Sequence, residues 1–461
     1  MGEEGLPPFK GLMIGVSGVR GVVGEGMSPE VAVLWAMGLA TMTEGGKIVV
    51  ARDTRPTGTM ILYAVKSGLL YAGCDVDDAG ILPTPAAALA VPTRGAHAGI
   101  IITASHNPQS WNALKFIRAD GRMFKPSEFE KLHRIVVSGP LRSVPWNRIG
   151  REIFWDKGEE VYIGQLLGLG WLDLDRIIRR KFKVAFDGVN GAGWEVYPDL
   201  LEALGCEVVR LNCRNDGIFP RGPEPTPENL TELSRVVREE RCDIGFAVDP
   251  DGDRLSVVDE TGSPIGEEAT LALAVMEVLF HRPGPLVINT LTSQMVADVA
   301  ERAGLPCYRS KVGEAFVAEM MEKEKAVVGG EGNGGIIYPE FHLVRDAGLG
   351  MVIILNLLAR SKSTISHLSA QLPRYHMRKS TYPISDIDHT FLFEKLAKLY
   401  PYEQVTQVDG IRITTPLGWV QVRVSNTEPI LRVFAESNDP EQVDYMLQEM
   451  LGHIRELSRD I

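Results

Sequence analysis

The sequence predicts an α/β protein with three similar α/β domains on mixed sheets, followed by a smaller α+β domain. Three observations carry that prediction. A strand, a turn, a helix and a returning strand recur three times along the chain. The C-terminal segment replaces that pattern with closely connected strands and one long helix. And 461 residues are too many for a single hydrophobic core.

The first unit begins with the apolar run Lys47–Ala51, turns at Arg52-Asp53-Thr54-Arg55, and returns after a helix-like stretch at Ala72-Gly73-Cys74-Asp75-Val76. The second runs from Lys183–Phe186 through Asp187-Gly188-Val189-Asn190-Gly191 to Leu204-Gly205-Cys206-Glu207-Val208. The third runs from Pro285–Asn289 through Thr290-Leu291-Thr292-Ser293 to Ala303-Gly304-Leu305-Pro306-Cys307. In each, a glycine follows the helix, where a left-handed residue closes the last turn at little steric cost. The chain then returns as a strand, which is the βαβ pattern. Both polar turns, at Arg52–Arg55 and at Asp187–Gly193, read as structural.

The C-terminal unit differs. Gly410–Thr414, Trp419–Val424 and Ile430–Ala435 read as strands with short connections. From Pro440 to Arg459 the chain reads as one amphipathic helix, with Val443, Met446, Leu447, Met450 and Leu451 at helical spacing. The expected domains are therefore 1–150, 151–257, 258–370 and 371–461. The segment Pro140–Asp156 lacks periodicity and reads as linker or irregular surface.

Composition narrows the function. The chain carries 48 basic and 60 acidic residues, a net charge of −12. That disfavours nucleic acid as a partner, although a local arginine cluster still suits an anionic small molecule. Five dispersed cysteines without a CxxC pair fit reduced thiols and a cytoplasmic location. No apolar run approaches the ~20 residues that span a bilayer, and residues 1–10 lack the pattern of a signal peptide. Nothing in the sequence specifies an oligomeric state.

Four stretches carry chemistry. Ala98–Ile102 reads as a buried strand that ends in Thr103-Ala104-Ser105-His106-Asn107-Pro108. Ligands meet α/β sheets at such strand ends, so Ser105 is a candidate reacting hydroxyl, with His106 and Lys115 as nearby proton handlers. The plainer alternative is a polar loop with an Asx turn before Pro108.

Asp249, Asp251 and Asp253 place three carboxylates at alternate positions between two apolar runs, Ile244–Val248 and Leu255–Val258. Anions so crowded repel one another unless a cation sits among them, and hard oxygen ligands suit Mg²⁺. The spacing invites comparison with an EF-hand, since Glu260 falls at the twelfth position. Arg254, however, stands where that loop needs its turn glycine, and the flanks read as strands. A solvated acidic turn is the remaining alternative.

Gly330-Glu331-Gly332-Asn333-Gly334-Gly335 lets backbone approach a ligand, and the Glu331 carboxylate suits neighbouring hydroxyls. Arg423-Val424-Ser425-Asn426-Thr427, with Arg432, gathers a guanidinium, hydroxyls and turn amides of the kind that cradle phosphate. Taken singly, each also reads as an ordinary turn or hairpin.

In this order, the four stretches resemble the phosphoserine, metal, sugar and phosphate loops of the α-D-phosphohexomutases. The resemblance runs from Ser17-Gly18-Val19-Arg20-Gly21 to the last helix. It implies four domains around a central cleft, and a phosphoserine at Ser105. It further implies a Mg²⁺ site at Ser105, Asp249, Asp251 and Asp253. Lys115 and Arg20 match the family's proton-handling positions, with His106 as support for the phosphoserine. Arg254, Lys311, Glu331, Asn333, Arg423, Ser425, Asn426, Thr427 and Arg432 match its substrate contacts. One departure stands out. Many bacterial members have serine at the Asn333 position and histidine at the Gly335 position, so no role of that histidine transfers, and Gly335 is expected to leave room for another group.

The implied activity interconverts hexose 6-phosphate and hexose 1-phosphate through a 1,6-bisphosphate. Glucosamine phosphate is favoured, with phosphomannomutase or phosphoglucomutase activity as the alternative. A Mg²⁺-dependent sugar phosphatase and a non-catalytic sugar-phosphate sensor are the rivals from other classes.

Overall fold

The structure, a computed structural model, describes residues 10–15, 18–384, 389–425 and 430–458. Four sheets organise it, in chain order. The first has seven strands, ordered Met13–Gly15, Gly18–Val22, Trp111–Arg118, Ala98–Ile102, Gly46–Arg52, Cys74–Ile81 and Glu152–Phe154. It is mixed, because Ala98–Ile102 pairs parallel with Gly46–Arg52 on one side and antiparallel with Trp111–Arg118 on the other. The second sheet has the order Leu255–Val258, Ile244–Val248, Lys183–Asp187, Glu207–Leu211, and the third Cys307–Ser310, Leu286–Asn289, Val328–Glu331, Gly335–Ile337.

The predicted repeat is present three times. Gly46–Arg52 and Cys74–Ile81, Lys183–Asp187 and Glu207–Leu211, and Leu286–Asn289 and Cys307–Ser310 are parallel pairs, each joined through a helix. The glycine after each helix is left-handed, with φ of 83° at Gly73, 75° at Gly205 and 68° at Gly304. The segments that follow the carboxyl ends of Ala98–Ile102, Cys307–Ser310 and Val328–Glu331 line a single cavity. One expectation fails here. Within 140–156 the chain forms a short 3₁₀ turn, Trp146–Arg148, and then the strand Glu152–Phe154, which pairs parallel with Cys74–Ile81. The first sheet therefore continues past residue 150. A three-residue edge strand has no periodicity to read.

The C-terminal sheet is antiparallel throughout, in the order His376–Pro383, Ile430–Ser437, Gly418–Val424, Ile411–Thr415, Val405–Thr406. The helix Pro440–Leu457 covers it through Val443, Met446, Leu447, Met450 and Ile454. Its core is its own. By contrast, one apolar core joins the first three sheets, with Ala51 and Ile101, Phe186 and Val248, and Ile288 and Val328 in a single cluster. At its centre lies the helix Ala347–Ser361, buried on nearly every face and capped by the Asp346 side chain, which accepts from the Leu349 amide. No helix among the described residues is long and apolar enough to cross a membrane.

Candidate functional site

Ser105 follows the carboxyl end of Ala98–Ile102 and adopts φ of 48°, a left-handed conformation that costs a non-glycine residue energy. The loop is held there by Arg55. Its fully buried guanidinium donates to the carbonyls of Ser105 (2.6 Å), Asn107 (2.8 Å), Pro108 (2.7 Å) and Trp111 (3.0 Å). Asp53 pairs with Arg55 at 3.0 Å and accepts from Thr103 Oγ1 at 2.6 Å. The Arg52–Arg55 turn is structural, as expected, and what it builds is the serine loop. Ser105 itself is buried, not exposed. Its Oγ donates to Asp249 Oδ2 at 2.9 Å.

Asp249, Asp251 and Asp253 follow the carboxyl end of Ile244–Val248, with ligand oxygens within 4.8 Å of one another. Asp249 Oδ1 closes its own loop by accepting from the amides of Asp253 and Arg254. Gly252 turns the loop with φ of 69°, and Tyr197 fixes it by donating its hydroxyl to the Gly252 carbonyl. Thr84 Oγ1 donates to Asp251 Oδ2 at 2.7 Å. Among the described residues, two buried oxygens, Asp251 Oδ1 and Asp253 Oδ1, have no hydrogen-bond donor. Burial first, then the charges of Asp251 and Asp253, push the Asp249 carboxyl well above its ordinary pKa. Crowded anions with undonated oxygens are what a hard cation would satisfy. The triad fits a divalent metal ion.

Lys115, on Trp111–Arg118, reaches the same place: Nζ lies 2.5 Å from Asp251 Oδ2 and 3.5 Å from Asp253 Oδ2. Burial alone would depress its pKa, but those two carboxylates more than reverse this and hold the ammonium above the usual lysine range. Next to it, His106 Nδ1 accepts from Arg254 Nη2 at 2.9 Å, while Arg254 Nη1 donates to Glu224. The Arg254 charge, then burial, lower the His106 pKa to about 2, so the ring is neutral at physiological pH. Arg20 donates to Asn107 Oδ1 at 3.2 Å, and burial followed by the charges of Arg254 and Arg432 lowers its pKa. This positive cluster gives an acidic chain a local site for an anion.

Glu331 ends Val328–Glu331 and is buried. Its Oε1 accepts from Asn289 Nδ2 (2.8 Å) and the Gly313 amide (2.9 Å), and its Oε2 accepts from Arg345 Nη1 (2.9 Å). Arg20, Ser105, His106, Lys115, Arg254, Glu331 and Asn333 all line one cavity of about 300 Å³. The expected room at Gly335 is absent, because a Cβ there would overlap the Arg345 side chain.

The remaining expected contacts lie outside that cavity's lining. Lys311 is exposed, with its ammonium 5.8 Å from the Phe316 ring centre, while its neighbours Val312 and Gly313 line the cavity. Arg423 pairs with Asp409 at 3.0 Å, and the Ser425 amide donates to the Ile430 carbonyl. Asn426 and Thr427 lie outside the described residues. Arg345 and Glu224 went unnoticed in the sequence, and Arg55 and Asn289 stood there only as parts of a structural turn and a strand. Each acts on a partner 14 or more residues away along the chain, which no local motif announces. Only the Val344-Arg345-Asp346 stretch before an apolar helical run offered a signal, through its Asp cap.

Comparisons with known proteins agree with this geometry. Four family models match in order: phosphoglucomutase/phosphomannomutase alpha/beta/alpha domain I at residues 11–141, domain II at 160–262, domain III at 267–375, and the C-terminal domain at 391–453. A protein of Thermococcus kodakarensis named "Phosphoglucomutase/phosphomannomutase" is 37% identical over 95% of this chain and 97% of its own. One of Methanopyrus kandleri named "Probable phosphoglucosamine mutase" is 34% identical over 98% of this chain and 99% of its own. The crystal structure of a phosphoglucomutase/phosphomannomutase family protein from Burkholderia thailandensis superposes with a TM-score of 0.84, at 26% identity, covering 97% of this chain and 98% of that one. The chain belongs to the phosphoglucomutase/phosphomannomutase family, the α-D-phosphohexomutases.

Proposed function

We propose that this chain interconverts hexose 6-phosphate and hexose 1-phosphate through a phosphoserine at Ser105 and a 1,6-bisphosphate intermediate. The observation that carries the reading is the placement of Ser105 Oγ, 2.9 Å from Asp249, in the cavity that Lys115, Arg254 and Glu331 also line. Asp249, Asp251, Asp253 and an oxygen of the phosphorylated Ser105 would hold Mg²⁺, which neutralises charge on a transferring phosphoryl group. Glu331, Asn333 and Arg254 contact the sugar substrate, and His106, which accepts from Arg254, supports the phosphoserine. Lys115 is the partner for the proton on the accepting or leaving hydroxyl, with Arg20 beside it. Arg423, Ser425, Asn426, Thr427 and Arg432 hold the phosphate that is not reacting, and Lys311 is a further substrate contact from the third unit.

The same reading divides the chain near 150, 257 and 370, with the first limit moved past Phe154 because its strand belongs to the first sheet. Five free cysteines fit a cytoplasmic location. Glucosamine phosphate is the favoured substrate, in keeping with the name of the Methanopyrus relative. The Thermococcus relative's name supports the second reading, mannose or glucose phosphate. Turnover of glucosamine, glucose and mannose 1-phosphates side by side decides between them. Release of inorganic phosphate in place of the 6-phosphate makes the protein a phosphatase, and binding without turnover makes it a sensor.

A further inference from the structure

We propose that Arg345 is the positioning residue for the Glu331 carboxylate, and that Gly335 is glycine because the Arg345 side chain occupies the space over it. The substrate in this proposal rests on the phosphohexomutase reading. Arg345 immediately precedes the buried helix Ala347–Ser361, and its amide donates to Glu314 Oε1 at 2.7 Å. Its guanidinium then spans two loops: Nη1 donates to Glu331 Oε2 at 2.9 Å and Nη2 to Asp253 Oδ2 at 2.7 Å. The residue is 8% exposed and lines the cavity with Glu314, Glu331 and Asn333.

Acceptor counting shows what this does. An ionised carboxylate offers about four lone-pair sites. On Glu331, Asn289 and Gly313 take both sites of Oε1, and Arg345 takes one of Oε2. One site remains for a sugar hydroxyl, and it lies on the oxygen that Arg345 holds. Among the described residues, the arginine therefore sets the direction of the acceptor site that Glu331 still offers. A lysine lacks the planar fork that reaches both acids at once. Any side chain at residue 335 would meet the Arg345 aliphatic carbons and displace the fork from both loops.

The test is a double-mutant cycle with Gly335→Ala and Arg345→Met, read as kcat and KM for the three 1-phosphates. Each single change is expected to lower kcat/KM by about 10–100-fold. The double variant is expected to match Arg345→Met within about twofold, because the side chain that the new methyl displaces has already gone. Arg345→Lys should fail to restore activity. A merely structural role would lower the melting temperature and leave kcat/KM intact well below it. Should Arg345→Met not fold, Arg345→Gln completes the cycle, since it keeps a donor. If the wild type itself turns nothing over, the functional reading fails, and the same cycle read as calorimetric affinity for the 1-phosphates still judges this inference. Losses that multiply in the double variant, or an Arg345→Met enzyme with unchanged kcat/KM, overturn it.

Discussion

The first three sheets and the fourth are held to the rest of the molecule in opposite ways. A single apolar core runs through the first three, so the loops bearing Ser105, the aspartates and Glu331 are fixed to one rigid body. The fourth sheet keeps a separate core and docks by polar contacts. Arg412 donates to the Thr290 carbonyl, Gln421 Nε2 to Thr290 Oγ1 (2.9 Å), and the amides of Gln294 and Val312 to Glu436 (2.8 Å) and Asp409 (3.3 Å). A shared core resists displacement, because sliding it exposes apolar surface or opens cavities. Hydrogen bonds exchange for water at little net cost. The groups proposed to do chemistry sit on the rigid body, and those proposed to grip the distant phosphate sit on the unit that is docked by polar contacts.

The largest expected effect is on the rigid side. Ser105→Ala should lower turnover by ~10⁴-fold or more while the protein stays folded. Intact-mass analysis should find one phosphate on the wild type and none on the variant. Next comes the aspartate triad. Excess chelator should abolish activity and Mg²⁺ restore it, and Asp251→Asn should weaken Mg²⁺ binding by at least ~10-fold in a calorimetric titration. Full activity in chelator would remove the metal from the account. Lys115→Met should then depress kcat far more than it raises KM; an effect confined to KM makes Lys115 a binding residue and moves the proton to Arg20.

The supports of the body are expected to show in stability. Arg55→Ala leaves Asp53 an uncompensated buried charge and strips four carbonyls of their donor. A loss of about 3–5 kcal/mol in urea unfolding is the expected cost. The smallest effect belongs to the polar seam. Gln421→Ala should cost only ~1–2 kcal/mol, and calorimetry should show the C-terminal unit melting earlier while the main transition stays in place. A single transition that shifts as a whole would mean that the seam is no softer than the core.

What the sequence revealed follows the same division between local and distant. The three βαβ units were legible because strand, helix and capping glycine lie within about thirty residues, where spacing is itself the signal. The aspartate triad was legible because its members are alternate residues. Arg345 and Arg55 were not, since each is one arginine among many until folding sets it against acids or carbonyls far along the chain. Gly335 shows the limit most clearly. Its lack of a side chain was plain in the sequence, yet whether that left a space depended on Arg345, ten residues on and out of its local register. The strand Glu152–Phe154 was missed because only its parallel partner, over seventy residues earlier, makes it a strand.

The central claim is that Ser105 hands its phosphoryl group to a sugar and takes one back. Enzyme carrying ³²P on Ser105 would be mixed with unlabelled glucose or glucosamine 1-phosphate, and the label followed over a single turnover. The account predicts that the label leaves the protein, passes through the 1,6-bisphosphate and appears in the 6-phosphate, with unlabelled phosphate restored to Ser105. Label that is released as inorganic phosphate, or that remains on the protein while product forms, would contradict it.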